Sequence, residues 1–388
     1  MGRRIGTLTF HHVINEGAIL QAYALSTKLR QLFTQDEVCI IDYRSASAEQ
    51  GSLRNTILGS KNPAVIWHRV RRYCRLKNFI RTKLSLSHHH LITDDYDRAL
   101  EFLRNHYDVI VVGSDEVWKI ERRAFARPFP NPYWLSETLP CRKIAYAASA
   151  NKLACHDVQR EHRDLMQRCL RAFDLVGVRD RHTYAMIREW GVVPSDKLEQ
   201  VPDPTFFIQI PFDATKTRQR LLRAGVDFSR KLLGVTFSDR MLNEGIIPYY
   251  KKSGYQVIAM TVYNPLADVN LAGYLDPFEW AQTFQFLALC YTDLFHGTIF
   301  SLKAGIPFLS FDYFINPAYE TKIHFLLDDL GLLKHYVAMQ GQGTNPAELI
   351  TRTEELIREH DRGVILDKVA EQQFRAERFL HRIQEIVG

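Results

Sequence analysis

The sequence predicts an α/β protein made of two tandem doubly wound domains that face a cleft. Short apolar runs, of which Asp108-Val-Ile-Val-Val-Gly113 is the most hydrophobic, read as parallel strands buried on both faces, and stretches with helical apolar spacing alternate with them. Two prolines in Val201-Pro-Asp-Pro-Thr205 and a polar stretch reaching Arg230 interrupt the alternation in mid-chain, after which it resumes. A length of 388 residues with 46% hydrophobic content suits two cores and excludes a disordered chain or a mini-protein. The expected domains are 1–210, with a basic insertion at about 50–93, and 211–388, whose terminal helix is a candidate to pack back on the first domain.

Each element follows from its residues. Ile5 to Phe10 is short and β-rich, Ala18 to Phe33 repeats apolar residues at helical spacing, and Glu37-Val-Cys-Ile-Ile-Asp42 is a buried strand, which completes a βαβ unit. Asp94 to Asn105 reads as a helix, Tyr107 to Gly113 and Lys143 to Ser149 as strands, about Asp157 to Ala172 as a charged helix, and Leu175 to Arg179 as the next strand. Phe206 to Arg230 is polar enough to connect domains. The second half places strands at Lys231 to Phe237, Gln256 to Thr261, Leu287 to Tyr291 and Pro307 to Ser310, with helices at Asp276 to Phe286 and Thr298 to Ala304. From Asn345 onward the chain reads as helical and highly charged, and no internal repeat appears.

Composition narrows the function. No apolar run approaches the roughly 20 residues that cross a bilayer, and Met1 to Phe10 lacks the apolar core of a secretion signal, so the chain is expected in the cytoplasm. Six cysteines without a CxxC pair predict buried thiols rather than zinc ligands or a disulfide framework. The net charge of +6 resides in one place: between Glu49 and Asp94 there is no acidic residue, whereas Arg54, Lys61, Arg69, Arg71, Arg72, Arg75, Lys77, Arg81 and Lys83 are all basic. Without them the chain is slightly acidic, so nucleic acid is not an expected partner. Trp67, Val70, Tyr73, Cys74, Leu76 and Phe79 interleave with these cations, which fits either an amphipathic helix making peripheral contact with the inner face of an anionic membrane through 54–83, or a solvated insertion. His88-His-His90 cannot all face one ion, and no metal site is expected.

Three segments could carry chemistry. The first loop, Phe10 to Leu25, lies where a strand ends and a helix begins; Gly17 permits close backbone approach there, with Asn15 and Glu16 as likelier participants than His11 or His12, and an ordinary βα turn is the alternative. Gly113-Ser-Asp-Glu-Val-Trp118 follows the most apolar strand, where Ser114, Asp115 and the Trp118 ring suit a sugar or a small organic acid, unless Asp115 only caps a helix. In Tyr291-Thr-Asp-Leu-Phe-His-Gly-Thr-Ile-Phe-Ser301 the strand ends at Tyr291, His296 and Gly297 form a turn, and Thr298 opens a helix whose partial positive charge attracts anions. A histidine there can act as acid or base near pH 7, or can be structural.

The run from Asn15 to Leu25, Gly113 to Trp118, Tyr146-Ala-Ala-Ser149, Val178-Arg179, Asp203-Pro-Thr205 and Phe295 to Ser301 together resemble, in order, the signature blocks of the polysaccharide pyruvyl transferase family. The resemblance implies a GT-B-like arrangement of two Rossmann-like domains, phosphoenolpyruvate as co-substrate with no cofactor, and a sugar hydroxyl pair on a glycan or lipid-linked sugar as acceptor. It implies a catalytic role for His296, with Asp115 and Glu16 as further acid–base candidates. Arg179, Gly297, Thr298, Ser301 and Lys303 are expected to bind the donor, and Asn15, Gly17, Gln21, Ser114 and Trp118 the acceptor. Many members carry an arginine two residues before that histidine, where it is expected to hold the donor's anionic groups. This chain has Leu294 instead, which shifts the load to Arg179, with Lys303 second. The alternatives are a GT-B glycosyltransferase using a nucleotide sugar and a catalytically silent glycan-binding protein of the same fold.

Overall fold

Four β-branched residues in a row, Val109–Val112, leave no polar side chain for water, and all four are buried in the middle of a seven-stranded sheet. The structure, a computed structural model, describes residues 2–49, 60–120, 129–151, 153, 158, 160–210, 213–237, 239–313, 320–339 and 345–388. The chain divides into unit 1, comprising Met1–Asn55, Ile80–Ile208 and Gln372–Gly388, and unit 2, comprising Thr56–Phe79 and Gln209–Glu371. Residues 56–79, within the stretch expected as an insertion of the first domain, therefore group with unit 2.

Unit 1 contains β1 (Arg4–Leu8), β2 (Glu37–Arg44), β3 (Leu86–Ile92), β4 (Val109–Val112), β5 (Arg142–Ala148), β6 (Leu175–Val178) and β7 (Leu198–Gln200). Its helices are α1 (Glu16–Leu32), α3 (Tyr96–His106), α4 (Arg160–Arg171) and α5 (Arg181–Trp190), and α2 (Pro63–Lys83) runs from unit 2 into it. The strand order is β3-β2-β1-β4-β5-β6-β7 with every neighbour parallel. The chain builds outward from β1 to one edge, then returns to β4 and builds to the other. The order thus reverses between β1 and β4, where doubly wound sheets bind ligands.

Unit 2 repeats the plan with β8 (Leu232–Val235), β9 (Gln256–Ala259), β10 (Val269–Asn270), β11 (Leu289–Thr292), β12 (Phe308–Asp312) and β13 (Tyr336–Ala338), ordered β10-β9-β8-β11-β12-β13. Its reversal lies between β8 and β11. The helices are α6 (Ala214–Arg223), α7 (Arg240–Lys252), α8 (Pro277–Thr283), α9 (Phe295–Ala304), α10 (Lys322–Asp329), α11 (Pro346–Arg358) and the first turns of α12 (Arg362–Val387).

The last 16 residues of α12 lie in unit 1, where Phe379, Leu380, Ile383 and Val387 join Ile5, Leu25, Val111 and Tyr146 in one core. Gly177 on β6 makes this possible, since a Cβ there would sit 2.6 Å from the Phe379 ring. Arg378 and Arg382 pair with Glu199 at the rim.

Several expectations need correction. The polar stretch from Phe206 to Arg230 is not a plain connector, because it holds α6, capped by Asp213. Strand β3 went unread since Leu86-Ser-His-His-His-Leu-Ile92 is an edge strand with three exposed histidines and no apolar alternation. Helix α9 starts at Phe295 rather than Thr298, so His296 and Gly297 belong to its first turn. Among the described residues all cysteines are free, but Cys74 is exposed rather than buried; Cys155, Arg54 and Asp157 lie outside the described residues. No described helix is long and apolar enough to cross a membrane.

Candidate functional site

At the β1/β4 reversal of unit 1, the first loop and the Gly113–Trp118 segment converge on a buried polar network. Asn15 caps α1, its side-chain oxygen accepting from the Ala18 amide at 3.0 Å, which places Glu16 and Gly17 in the buried first turn. One turn on, Gln21 donates from Nε2 to the Ser114 hydroxyl at 3.4 Å and to the Asp203 carboxylate. Ser114 in turn donates to the Ala147 carbonyl at 3.2 Å.

Gly113 has a left-handed φ of 112°, and a Cβ there would lie 2.2 Å from the Tyr146 carbonyl oxygen. Asp115 follows at φ 91°, a conformation that costs a non-glycine residue roughly 1–3 kcal/mol. It is held by the Glu116 amide, which donates to Oδ1 at 2.8 Å, and by the Ser149 amide, which donates to its carbonyl at 3.0 Å.

Arg179 ties the network together. Its Nη1 donates to Asp203 at 3.1 Å and its Nη2 to Asp115 at 3.4 Å, and the whole residue is buried. Burial alone pulls the guanidinium pKa down, but the two carboxylates outweigh it and hold it above the ordinary value. Asp203 also accepts from the Thr205 hydroxyl at 2.6 Å and amide at 2.9 Å. The Arg179 charge is therefore already matched by two carboxylates, and to anchor an anionic donor it must give one up. The same guanidinium pairs with Asp115, whose side chain stays one-fifth exposed.

Trp118 is corrected outright. It is fully buried, stacked on Trp134 with ring centroids 5.3 Å apart, and donates to the Tyr133 carbonyl at 3.0 Å, so neither ring face is open to a sugar. His11, which sequence reasoning set aside, is also fully buried, with Nε2 3.0 Å from Asp42. Asp42 is driven well below the usual carboxylate range because His11 and Arg44 together overcome its desolvation.

At the β8/β11 reversal of unit 2, β11 delivers Thr292, Asp293 and Leu294, and Leu294 occupies the N-cap of α9 without a side-chain cap. His296 is half-buried in the first turn, where backbone amides lack intrahelical acceptors. Gly297 lets that turn approach the strand, since a Cβ would meet the Thr292 hydroxyl at 2.1 Å. The side chains of Thr298 and Ser301, expected to touch the donor, point inward instead: Thr298 bonds the Ser310 hydroxyl at 2.8 Å, and Ser301 donates to the Gly297 carbonyl at 2.8 Å. Lys303 lies two turns beyond His296, about 10 Å along the axis, toward the opposite end of the helix. A cation beside the start of α9 is Lys322, with Nζ 5.7 Å from the Phe295 ring centroid.

Asp293 was missed altogether. It accepts from Thr236 Oγ1 at 2.6 Å, its amide donates back to that oxygen at 3.1 Å, and burial, reinforced by Asp312, raises its carboxyl pKa against the lowering effect of Thr236. A raised pKa favours the protonated side chain in the fold, so this stabilisation is present in acid and lost as pH rises through the folded value. Relative to Asp293→Asn, the wild type is therefore expected to lose stability as pH climbs from about 4 toward 7, read as the melting-temperature difference at each pH. A difference that does not change with pH means that folding does not raise this carboxyl's pKa.

Among the described residues no group of three or more His, Cys, Asp or Glu could hold a metal ion.

No curated protein matches the sequence significantly. In structure the chain is similar to a putative UDP-N-acetylglucosamine 2-epimerase from Listeria monocytogenes, at 11% identity over 100% of this chain and 97% of that one, TM-score 0.57. It is similar to S. aureus MnaA, solved with UDP, at 11% identity over 99% and 97%, TM-score 0.58. The spinosyn forosaminyltransferase SpnP matches at 10% identity over 100% of both chains, TM-score 0.52. At such identities the likeness bears on fold alone, and the fold is a two-domain Rossmann-like one of GT-B type. A family model described as polysaccharide pyruvyl transferase matches residues 15–313.

Proposed function

The chain belongs to the polysaccharide pyruvyl transferase family, and on that premise we propose that it moves a pyruvyl group from phosphoenolpyruvate to two hydroxyls of a sugar, forming a ketal on a cell-surface glycan or its lipid-linked precursor. The observation that carries this reading is His296 in the amide-rich first turn of α9, at the reversal of the unit 2 sheet. The donor's methylene carbon takes a proton from an acid, and the cationic carbon so formed accepts both sugar oxygens in turn. The carbon–phosphate oxygen bond breaks, one hydroxyl proton ends in the new methyl group by way of the acid, and the other leaves with phosphate. His296 serves as that acid or as the base for the first hydroxyl.

The amides of α9 and Lys322 take the donor's negative charge that an arginine at position 294 takes elsewhere in the family. Gln21, Ser114 and Asp115 belong to the unit 1 strand end that recognises the hydroxyl-rich acceptor. No cofactor or metal takes part in this reaction, and it runs in the cytoplasm, with the lipid-linked acceptor presented at the inner face of the membrane. Calorimetric titration tests the donor: phosphoenolpyruvate is expected to bind, and a panel of nucleotide sugars is not. Binding of a nucleotide sugar alone makes the protein a glycosyltransferase. Binding of neither, with a glycan still bound, makes it a silent binding protein.

A further inference from the structure

Helix α2 has seven cations and no carboxylate, and it uses one side to hold unit 2. On that side His68 Nδ1 lies 2.8 Å from the Ala272 carbonyl oxygen, and Arg75 donates to the Gly273 carbonyl at 3.1 Å. The Arg71 guanidinium covers Tyr274 at 4.1 Å from its ring centroid, and Phe79 meets Phe278 edge-on at 4.7 Å. The approach is close enough that Gly273, at φ 76°, admits no side chain: a Cβ would sit 2.7 Å from the Arg72 amide nitrogen. The helix is thus fixed in unit 2 as far as Phe79.

Its other side is the reverse of a solvated surface. Pro63, Trp67, Val70 and Cys74 recur at three- and four-residue spacing and are all exposed, Trp67 by 48% and Val70 by 37%. Ile66 and Tyr73 flank this stripe half-buried, and Arg69, Lys77 and Arg81 border it. Trp67 is oriented as well as exposed, with the Arg71 guanidinium 4.4 Å from its ring centroid and His68 edge-on at 4.8 Å. An apolar stripe with an indole at its centre and cations at its edges suits a medium that is oily inside and anionic at its surface.

We propose that the outward face of α2 docks the protein on an anionic lipid bilayer. Trp67 and Val70 enter the headgroup layer while Arg69, Lys77 and Arg81 meet the lipid phosphates. A polyanion such as nucleic acid would use the cations but leave the stripe wet, and for that reason the lipid surface is the better fit. The inference is independent of the donor chemistry, since it concerns adhesion alone.

The test is co-sedimentation of the full chain with vesicles of phosphatidylglycerol and phosphatidylcholine, or of phosphatidylcholine alone. Binding is expected only to the anionic vesicles and is expected to collapse in about 0.5 M salt, where the screening length falls to a few ångströms. The double variant Arg69→Gln, Lys77→Gln should lower the partition coefficient roughly 30-fold, at about 1 kcal/mol per cation. Brominated lipid should quench tryptophan emission in the wild type but not in Trp67→Phe, and Trp67→Ala should also bind more weakly. Trp67 is exposed while Arg69 and Lys77 are half-buried beside the stripe, and the salt titration and quenching of the wild type do not depend on any variant folding. No sedimentation with anionic vesicles overturns the proposal. So does binding that survives both Trp67→Ala and the double charge variant, or binding that short DNA abolishes while Trp67→Ala leaves it unchanged.

Discussion

Arg179→Ala is expected to destabilise unit 1 by about 3–5 kcal/mol, the cost of stranding a buried charge. Asp203 has no exposed side-chain surface and shares one oxygen between Arg179 and Gln21 while Thr205 takes the other. Removing the guanidinium takes away the cation that faces this buried carboxylate, and the neutral donors Gln21 and Thr205 do not by themselves compensate a buried negative charge. Asp115 loses its ion pair too, at a backbone angle that already stores strain. Arg179→Lys retains the charge but not the planar fork that reaches both carboxylates, so it is expected to recover only part of the loss. Chemical denaturation of the three proteins gives the answer through the midpoint of the unit 1 transition. If Arg179→Ala unfolds at the wild-type midpoint while phosphoenolpyruvate affinity falls, the arginine is the donor anchor that the family resemblance suggests, and the structural account fails.

The family resemblance reaches the members of this network one by one, but the sequence does not show how they connect. The strands β1, β2, β4, β5, β6, β8, β9, β11 and β12 were legible because strands buried in a parallel sheet are largely apolar, and such runs stand out against turns. Nothing comparable marks a polar network assembled from α1, the ends of β4 and β6, and a loop after β7. Its contacts to Asp203 from Arg179 and Gln21 span 24 and 182 residues, and apart from the family resemblance Val201-Pro-Asp-Pro-Thr205 shows only its prolines. A tryptophan after a strand end looks the same in a sequence whether it lines a pocket or fills the core, so Trp118 was assigned to the acceptor. Thr298 and Ser301 were misassigned for a similar reason: a helix beginning at Phe295 rather than Thr298 turns their hydroxyls toward β12 and the helix's own backbone. The start was misread because Leu294, at the N-cap, offers no capping side chain to announce it. Asp293 had a signal that went unused, a carboxylate directly after a buried strand at the point where the sheet order reverses.

His296→Ala is expected to lower turnover by roughly 10²- to 10⁴-fold, the usual share of general acid–base catalysis. The imidazole sits in the first turn of α9, half-buried, where the backbone amides rather than the side chain are the natural anion holders. Phosphoenolpyruvate affinity should therefore change far less than the rate. Replacement by glutamine separates moving a proton from holding a ligand, because glutamine can donate or accept a hydrogen bond but cannot shuttle a proton near neutral pH. His296→Gln should be nearly as slow as His296→Ala in single-turnover phosphate release. If glutamine restores most of the rate, the histidine only positions the donor. The proton must then come from another group. Asp293, three residues earlier with its carboxyl held toward the neutral form, is the first to test, ahead of Glu16 and Asp115. Asp293→Asn would in that case abolish the turnover that His296→Gln retains, and a wild-type rate in Asp293→Asn would return the role to the unit 1 carboxylates.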